Sequence, residues 1–240
     1  MLSTNRRLLG FGFVTALYSS FGQTYFIGII GPHIQLEFGL SHTLWGVVYM
    51  IGTIGSAALL PWTGGLIDRF VLRRYALAAC LLLVFACAYI ATTTGPLTLV
   101  LATFLLRPAV QRLISHISIT SMVRYFDRER GRAIAFASLG FTAGEAILPV
   151  IAVFTLALIG WRWTYGAAAV LIGLTVIPTV IWLLKHHDTV HSRSSKLSRT
   201  VTQTSQLAVR SWTRREVIRD YFFYLLMPGL LAVSMISTAL

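Results

Sequence analysis

Charge is scarce in this sequence: 12% of its 240 residues are Asp, Glu, Lys or Arg, whereas 56% are hydrophobic. A soluble domain carries about 25% charged residues, so this composition excludes an ordinary soluble globular fold. Acidic residues are the rarest, with 8 Asp and Glu against 20 Lys and Arg, and the net charge is +12. Because the basic residues stand between long apolar blocks, they are typical of membrane topology and do not predict a nucleic-acid partner.

The sequence is also poor in the residues of catalytic and metal sites. Its two cysteines, Cys80 and Cys87, lie in one apolar block, where they predict neither a disulfide framework nor a metal site. We interpret them as packing residues. The sequence contains no Walker phosphate-binding loop, no catalytic triad and no cluster of metal ligands. We therefore expect a protein that is not an enzyme, is not driven by ATP, and has no bound metal or cofactor.

The apolar residues form seven stretches, each long enough to cross a bilayer as a helix, which takes about 20 residues. These stretches are residues 8–30, 43–63, 75–94, 97–123, 133–160, 163–184 and 221–240. None alternates between apolar and polar residues as a membrane barrel strand does. We therefore predict an all-α membrane protein in a lipid bilayer. Its predicted parts are a six-helix bundle over residues 1–184, a basic linker over 185–220 and a seventh helix over 221–240.

The positive charges predict which side of the membrane each connection faces. If the N-terminus is cytoplasmic, every Lys and Arg except Arg107, Arg112 and Arg162 falls in a cytoplasmic segment. Because Lys and Arg favour the cytoplasmic side, we predict that the N-terminus and the linker are both cytoplasmic. Of the three exceptions, Arg162 lies in an outer connection, whereas Arg107 and Arg112 lie within the fourth span.

The connection after the second span reads GGLIDRFVLRR over residues 64–74. It resembles the signature between the second and third helices of the major facilitator superfamily, although Val71 replaces the usual glycine and Leu72 a basic residue. The residues that fit, here named the latch motif, are Gly64, Leu66, Asp68, Arg69, Arg73 and Arg74. The resemblance implies a conformational latch and not a substrate site. The alternative is an ordinary positively charged turn.

Two further stretches resemble the same family. Arg107 stands in the fourth span, where members often have an arginine, and Arg112 follows where a small residue is usual. The fifth span has spaced glycines before Pro149, similar to the flexible fifth helix of members. The resemblance extends to uncharacterised bacterial members distantly akin to monocarboxylate carriers. It implies a six-helix N-terminal bundle of the superfamily type, followed by the first helix of a second bundle.

The same resemblance implies a function. The chain is expected to be a secondary active transporter of a small solute, with an organic anion as one candidate, and to work by alternating access in a bacterial inner membrane. Since the working unit of the superfamily is two six-helix bundles, and the sequence stops at Leu240, we expect a truncated form that lacks most of a C-terminal half. We expect this form alone to show no exchange. The alternative is a non-transporting remnant, or a subunit of a larger membrane assembly.

Two charges near the middle of the membrane are the main substrate or coupling candidates. Arg107 lies about 17 Å from the outer end of the fourth span, and Glu145 about 20 Å from the inner end of the fifth, at about 1.5 Å per residue. Such charges are costly and usually face a cavity or a partner. One interpretation is that Arg107 holds a substrate carboxylate while Glu145 takes up a proton. The other is a structural ion pair that only offsets the cost of burial.

Three polar residues complete the candidate site. His116 lies one turn beyond Arg112; histidine can relay protons, but a single one is more often a hydrogen-bonded packing residue. Gln23 and Tyr25 in the first span suit hydrogen bonds to a polar substrate, or bonds between helices. For Arg112 itself, a structural role is the favoured interpretation.

Overall fold

The computed structural model describes residues 6–59, 71–126, 129–184 and 220–239, except for the side chains of residues 111, 112, 124, 230, 231 and 233–239. All regular structure in these ranges is helical, which confirms the all-α class. The chain divides into two compact units, Met1–Asp188 and Thr189–Leu240. The helices of the first unit are α1 (Arg6–Tyr18), α2 (Thr24–Phe38), α3 (His42–Ala58), α4 (Leu72–Ala91), α5 (Pro96–Arg107), α6 (Ser115–Tyr125) and α7 (Arg130–Leu184).

Four helical stretches within the described ranges are long and apolar enough to span a membrane. They are Arg6–Phe38, Leu72–Ala91, Pro96–Val123 and Arg130–Leu184. The last one contains two predicted spans, and α3 and the helix Tyr221–Ala239 are not among the four, so the number differs from the seven expected. The 17 residues of α3 match the described part of the predicted span 43–63.

The first helical span extends further than the predicted stretch 8–30. Helix α2 continues past Pro32 to Phe38, and Ile34 in this last part is fully buried. Its apolar face therefore keeps packing where a proline usually marks a helix end. Helix α2 stops at Gly39, whose left-handed φ of 61° costs glycine little. Ser41 then caps α3, because its Oγ accepts a hydrogen bond of 3.2 Å from the Leu44 amide.

Helix α7 holds two segments that meet at Gly160 without a connecting loop. Gly160 has φ 74° and ψ 170°, a conformation that residues with a side chain rarely adopt. The break coincides with the boundary predicted between the spans 133–160 and 163–184. The sequence therefore predicted the place of this turn, and the glycine conformation explains why no longer connection is needed.

The first segment of α7 lies unusually close to α1. Gly140 and Gly144, which are four residues apart, are both buried against α1. A methyl group on Gly140 would overlap the Phe13 carbonyl oxygen and lie 3.0 Å from the Leu17 amide nitrogen. A methyl group on Gly144 would overlap the Ser20 hydroxyl oxygen. In membranes such small residues permit the close packing that holds helices together.

Hydrogen bonds between helices add to this packing. The Ser118 hydroxyl of α6 donates to the Gly12 carbonyl of α1 at 2.6 Å. The hydroxyls of Tyr18 and Thr175, from α1 and α7, are 2.9 Å apart. Polar bonds of this kind are found between packed membrane helices. Helix α1 is therefore hydrogen-bonded to both α6 and α7, and the bond from Tyr18 fixes the position of its last residue.

The second unit contains one described helix, α8 (Tyr221–Ala239), with Pro228 in its interior. Asp220 begins this helix, since its Oδ1 accepts a hydrogen bond of 3.0 Å from the Phe222 amide. The bounds of α8 match the span predicted over residues 221–240 to within one residue.

Candidate functional site

The first membrane-spanning stretch is interrupted near its middle. Helix α1 ends at Tyr18, a 3-10 turn covers Ser19–Gly22, and Gln23 is extended (φ −69°, ψ 159°) before α2 starts at Thr24. The Gln23 side chain does not cap α2. The first amides of α2 therefore have no partner within the helix, and its N-terminus carries a partial positive charge. Half-helix ends at this depth form substrate sites in membrane transporters.

Arg107 reaches the start of α2 from α5. It is the last residue of α5, and the chain continues as a π-helix over Pro108–Ile114, a wide turn that is frequent at functional sites. Only 4% of Arg107 is exposed. Its Nη1 donates to Thr24 Oγ1 at 3.4 Å, and its Cζ lies 4.4 Å from the centre of the Tyr49 ring. The Tyr49 hydroxyl also donates to Thr24 Oγ1, at 3.4 Å. We name Thr24, Tyr49 and Arg107 the Arg107 cluster.

Glu145 lies on α7, beside the same break between α1 and α2. It is exposed on α7, directly after Gly144, where an added methyl group would overlap the Ser20 hydroxyl oxygen of the turn before α2. No ion pair joins Arg107 to Glu145, although an ion pair between described residues does join Arg162 to Glu37. Arg107 instead packs between α2 and α3, at Thr24 and Tyr49.

Comparison with known families agrees with this helical arrangement. The family described as Major Facilitator Superfamily matches residues 12–240, nearly the whole chain. The chain belongs to the Major Facilitator Superfamily. As a member, it is an integral membrane protein and a transporter of small solutes. Comparison with curated proteins found no match.

The superfamily latch motif is described only at its end. Gly64, Leu66, Asp68 and Arg69 lie outside the described residues. Arg73 is partly buried and Arg74 is exposed, both in the first turn of α4. The latch role therefore stays a prediction, and it depends chiefly on Asp68.

The other site residues predicted in this superfamily member fall into two groups. Gln23 is at the break itself and Tyr25 is in the first turn of α2, both partly buried. His116 is exposed, and its Nδ1 lies 3.1 Å from Thr120 Oγ1, one turn further along α6. The side chain of Arg112 lies outside the described part of the chain. The structure thus brings Gln23, Tyr25, Arg107 and Glu145 to one break, and it bonds His116 within its own helix.

Sequence reasoning missed Thr24 and Tyr49. Both are uncharged and lie in apolar spans, so the burial of a charge does not single them out. The signal that was available is position, because Thr24 stands between Gln23 and Tyr25, which were both selected. For Tyr49 the sequence contains no such signal, since its contact with Arg107 depends on how α3 and α5 pack.

A second polar group, also missed, joins the ends of α2 and α4 to the break in α7. The Arg162 guanidinium donates to Glu37 Oε1 from Nε (3.0 Å) and Nη2 (2.7 Å). Its Nη1 donates to the carbonyls of Ala91 (3.1 Å), the last residue of α4, and Thr93 (2.7 Å), two residues further on. Trp161 Nε1 donates to the other carboxylate oxygen of Glu37. We name this group, Glu37 with Trp161 and Arg162, the Arg162 clamp.

We expect Arg162→Lys to lower the melting temperature of the detergent-solubilised chain, because an ammonium cannot reproduce the planar set of donors that the guanidinium offers. Arg162 and Glu37 are 34% and 43% exposed, so their coupling should be at most about 1 kcal/mol. A double-mutant cycle with Glu37→Gln measures that coupling. Arg7→Lys controls for the loss of a guanidinium that stacks on an aromatic ring, because Arg7 Cζ lies 5.1 Å from the centre of the Trp182 ring. A melting temperature unchanged by Arg162→Lys would contradict the role of the clamp.

Proposed function

We propose that the chain is a secondary active transporter of a small organic anion, which binds at the break in the first helix. The observation that carries this proposal is the meeting of two positive groups, the N-terminus of α2 and the Arg107 guanidinium, at Thr24. A helix N-terminus is equivalent to about half a positive charge. Both groups attract negative charge, and the low exposure of Arg107 strengthens that attraction. A carboxylate satisfies both, since it accepts from backbone amides and from a guanidinium.

We propose Glu145 as the group that couples anion binding to protons. It follows Gly144, which packs against Ser20 in the turn before α2, and so lies close to the proposed anion site. A negative charge there opposes binding of a second negative charge, and protonation removes that opposition. Uptake of one proton with one anion would keep the net charge of the site constant. Gln23 and Tyr25 supply further hydrogen-bonding groups for the polar part of the substrate.

Equilibrium binding of labelled benzoate to the purified chain at about pH 7 tests this proposal, because benzoate is ionised at that pH. We expect Glu145→Gln, which replaces the carboxylate by a neutral amide of the same shape, to bind benzoate more tightly than the wild type. His116→Gln is the matched control, and it should keep the affinity of the wild type. An affinity raised in His116→Gln, or unchanged in Glu145→Gln, would contradict the assignment.

We also propose a membrane arrangement for the chain. Residues 1–184 form the N-terminal bundle, residues 185–220 a cytoplasmic linker, and residues 221–240 the opening helix of the next bundle. The basic residues on one side support a cytoplasmic N-terminus. The proposed membrane is the bacterial inner membrane.

A further inference from the structure

We propose that Tyr49 is a specificity residue, and that it makes the Arg107 cluster select planar carboxylates over tetrahedral anions such as sulfonates and phosphonates. This inference rests on the proposed function, in which Arg107 receives the anion. It adds which kind of anionic group binds. It also attributes the preference for carboxylates to Tyr49, an uncharged residue of α3.

The position of Tyr49 is fixed from two directions. Helix α3 lies close to α5 at Gly52, where an added methyl group would overlap the Thr103 hydroxyl oxygen and lie 3.1 Å from the Phe104 amide nitrogen. This contact places Tyr49, one turn before Gly52, beside α5. The hydrogen bond from the Tyr49 hydroxyl to Thr24 then holds the ring over the guanidinium, with 4.4 Å between Cζ and the ring centre. A ring at this distance is in stacking contact, so a ligand cannot enter between the ring and Arg107.

The stacked ring limits how an anion can reach Arg107. One face of the guanidinium is covered by Tyr49, so an anion that pairs with two of its N–H groups must approach along an edge of the guanidinium plane. A carboxylate fits that approach, because its two oxygens and its substituent all lie in one plane and pair with the fork of N–H groups.

A tetrahedral anion fits the same edge poorly. When two of its oxygens lie in the guanidinium plane, its remaining two substituents project above and below that plane. One of them points to the side that Tyr49 covers, where it meets either the bulk of the ring or its negative face. Selection between the two anion shapes therefore follows from the ring, while the attraction for negative charge follows from Arg107.

Two pairs of ligands separate shape from charge and size: benzoate with benzenesulfonate, and propionate with ethanesulfonate. The members of each pair carry one negative charge at neutral pH and share their apolar group. We expect the wild-type chain to bind each carboxylate at least about tenfold more tightly than its sulfonate. Tyr49→Leu, which removes the ring, should lower that ratio about five- to tenfold. Tyr49→Phe keeps the ring and should keep most of the ratio.

Two further variants make the outcomes distinct. Tyr89→Leu, which removes a tyrosine of α4 that stacks on Phe85, should leave the ratio unchanged. Thr24→Val, which removes the anchor of the Tyr49 hydroxyl, should lower the ratio and replaces Tyr49→Leu if that variant does not fold. A wild-type ratio near one, or an equal ratio in the wild type, Tyr49→Leu and Thr24→Val, overturns the role of Tyr49. If Arg107→Gln binds all four anions as the wild type does, the proposed function itself fails.

Discussion

Arg107→Lys should weaken benzoate binding by about ten- to a hundredfold while the chain stays folded. A hydrogen bond to a charged group contributes about 1.5–3 kcal/mol, and 1.4 kcal/mol corresponds to a factor of ten. Lysine keeps the positive charge but loses the planar fork that pairs with both oxygens of a carboxylate. It also loses the flat surface that stacks on Tyr49. Equilibrium binding to the purified variant, with its melting temperature recorded in parallel, measures the effect.

The control for this substitution is Arg7→Lys, because Arg7 also stacks on an aromatic ring, that of Trp182. Binding should be unchanged in that variant. The alternative interpretation, a purely structural Arg107, predicts a loss of folded yield in Arg107→Gln with no specific loss of affinity in Arg107→Lys. Unchanged benzoate affinity in a folded Arg107→Lys would therefore count against the anion site.

The double variant Arg107→Gln with Glu145→Gln addresses the ion pair that the depth of the two residues suggested. In the structure Arg107 contacts Thr24 and Tyr49, and no ion pair joins it to Glu145. Groups without shared contacts usually give additive effects. The folded yield of the double variant should therefore equal the combined effect of the single variants. Recovery of yield in the double variant would instead indicate a buried pair.

The class of fold was predictable because it depends on composition and on the length of apolar runs. An apolar stretch of about 20 residues needs no knowledge of its neighbours to be identified as a membrane helix. The same is true of the site residues that carry charge, since Arg107 and Glu145 stand out in spans that otherwise lack it. Local patterns of this kind are contained in a single segment.

The features that were not predictable depend on contacts between segments. The extent of α2 is one case, because the apolar stretch ends at residue 30 whereas the packing of Ile34 continues the helix to Phe38. The partner of Arg107 is another, since the depth of a residue in its span does not reveal which side chains of other helices it meets. Tyr49 and the Arg162 clamp belong to the same group. To predict any of these contacts, one must know how a helix is rotated about its own axis. Apolar runs without periodicity do not show which face of the helix packs against its neighbours.

The second large effect is expected at Gly140, where α7 lies closest to α1. Gly140→Ala should lower the stability of the solubilised chain by about 1–3 kcal/mol, as overpacking does in close-packed interiors. The new methyl group would overlap the Phe13 carbonyl oxygen and would lie 2.8 Å from Ala16 Cβ and 3.0 Å from the Leu17 amide nitrogen. Two of these three atoms belong to the backbone, so no side-chain rotation relieves the overlap, and α1 must move.

A displacement of α1 reaches the anion site, because the break that begins α2 follows α1 directly. Gly140→Ala should therefore weaken benzoate binding as well as lower the melting temperature. Gly144→Ala should also lower stability, by a somewhat smaller amount: the Ser20 hydroxyl can rotate away, whereas Ser20 Cβ at 2.8 Å and the Leu17 carbonyl oxygen at 3.1 Å cannot. Gly166→Ala is the matched control in the same helix: a methyl group there meets nothing within 4 Å, and alanine favours a helix over glycine. Melting temperatures should rank Gly166→Ala highest and Gly140→Ala lowest. Equal melting temperatures for these two variants would show that α1 and α7 do not pack as closely as the structure indicates.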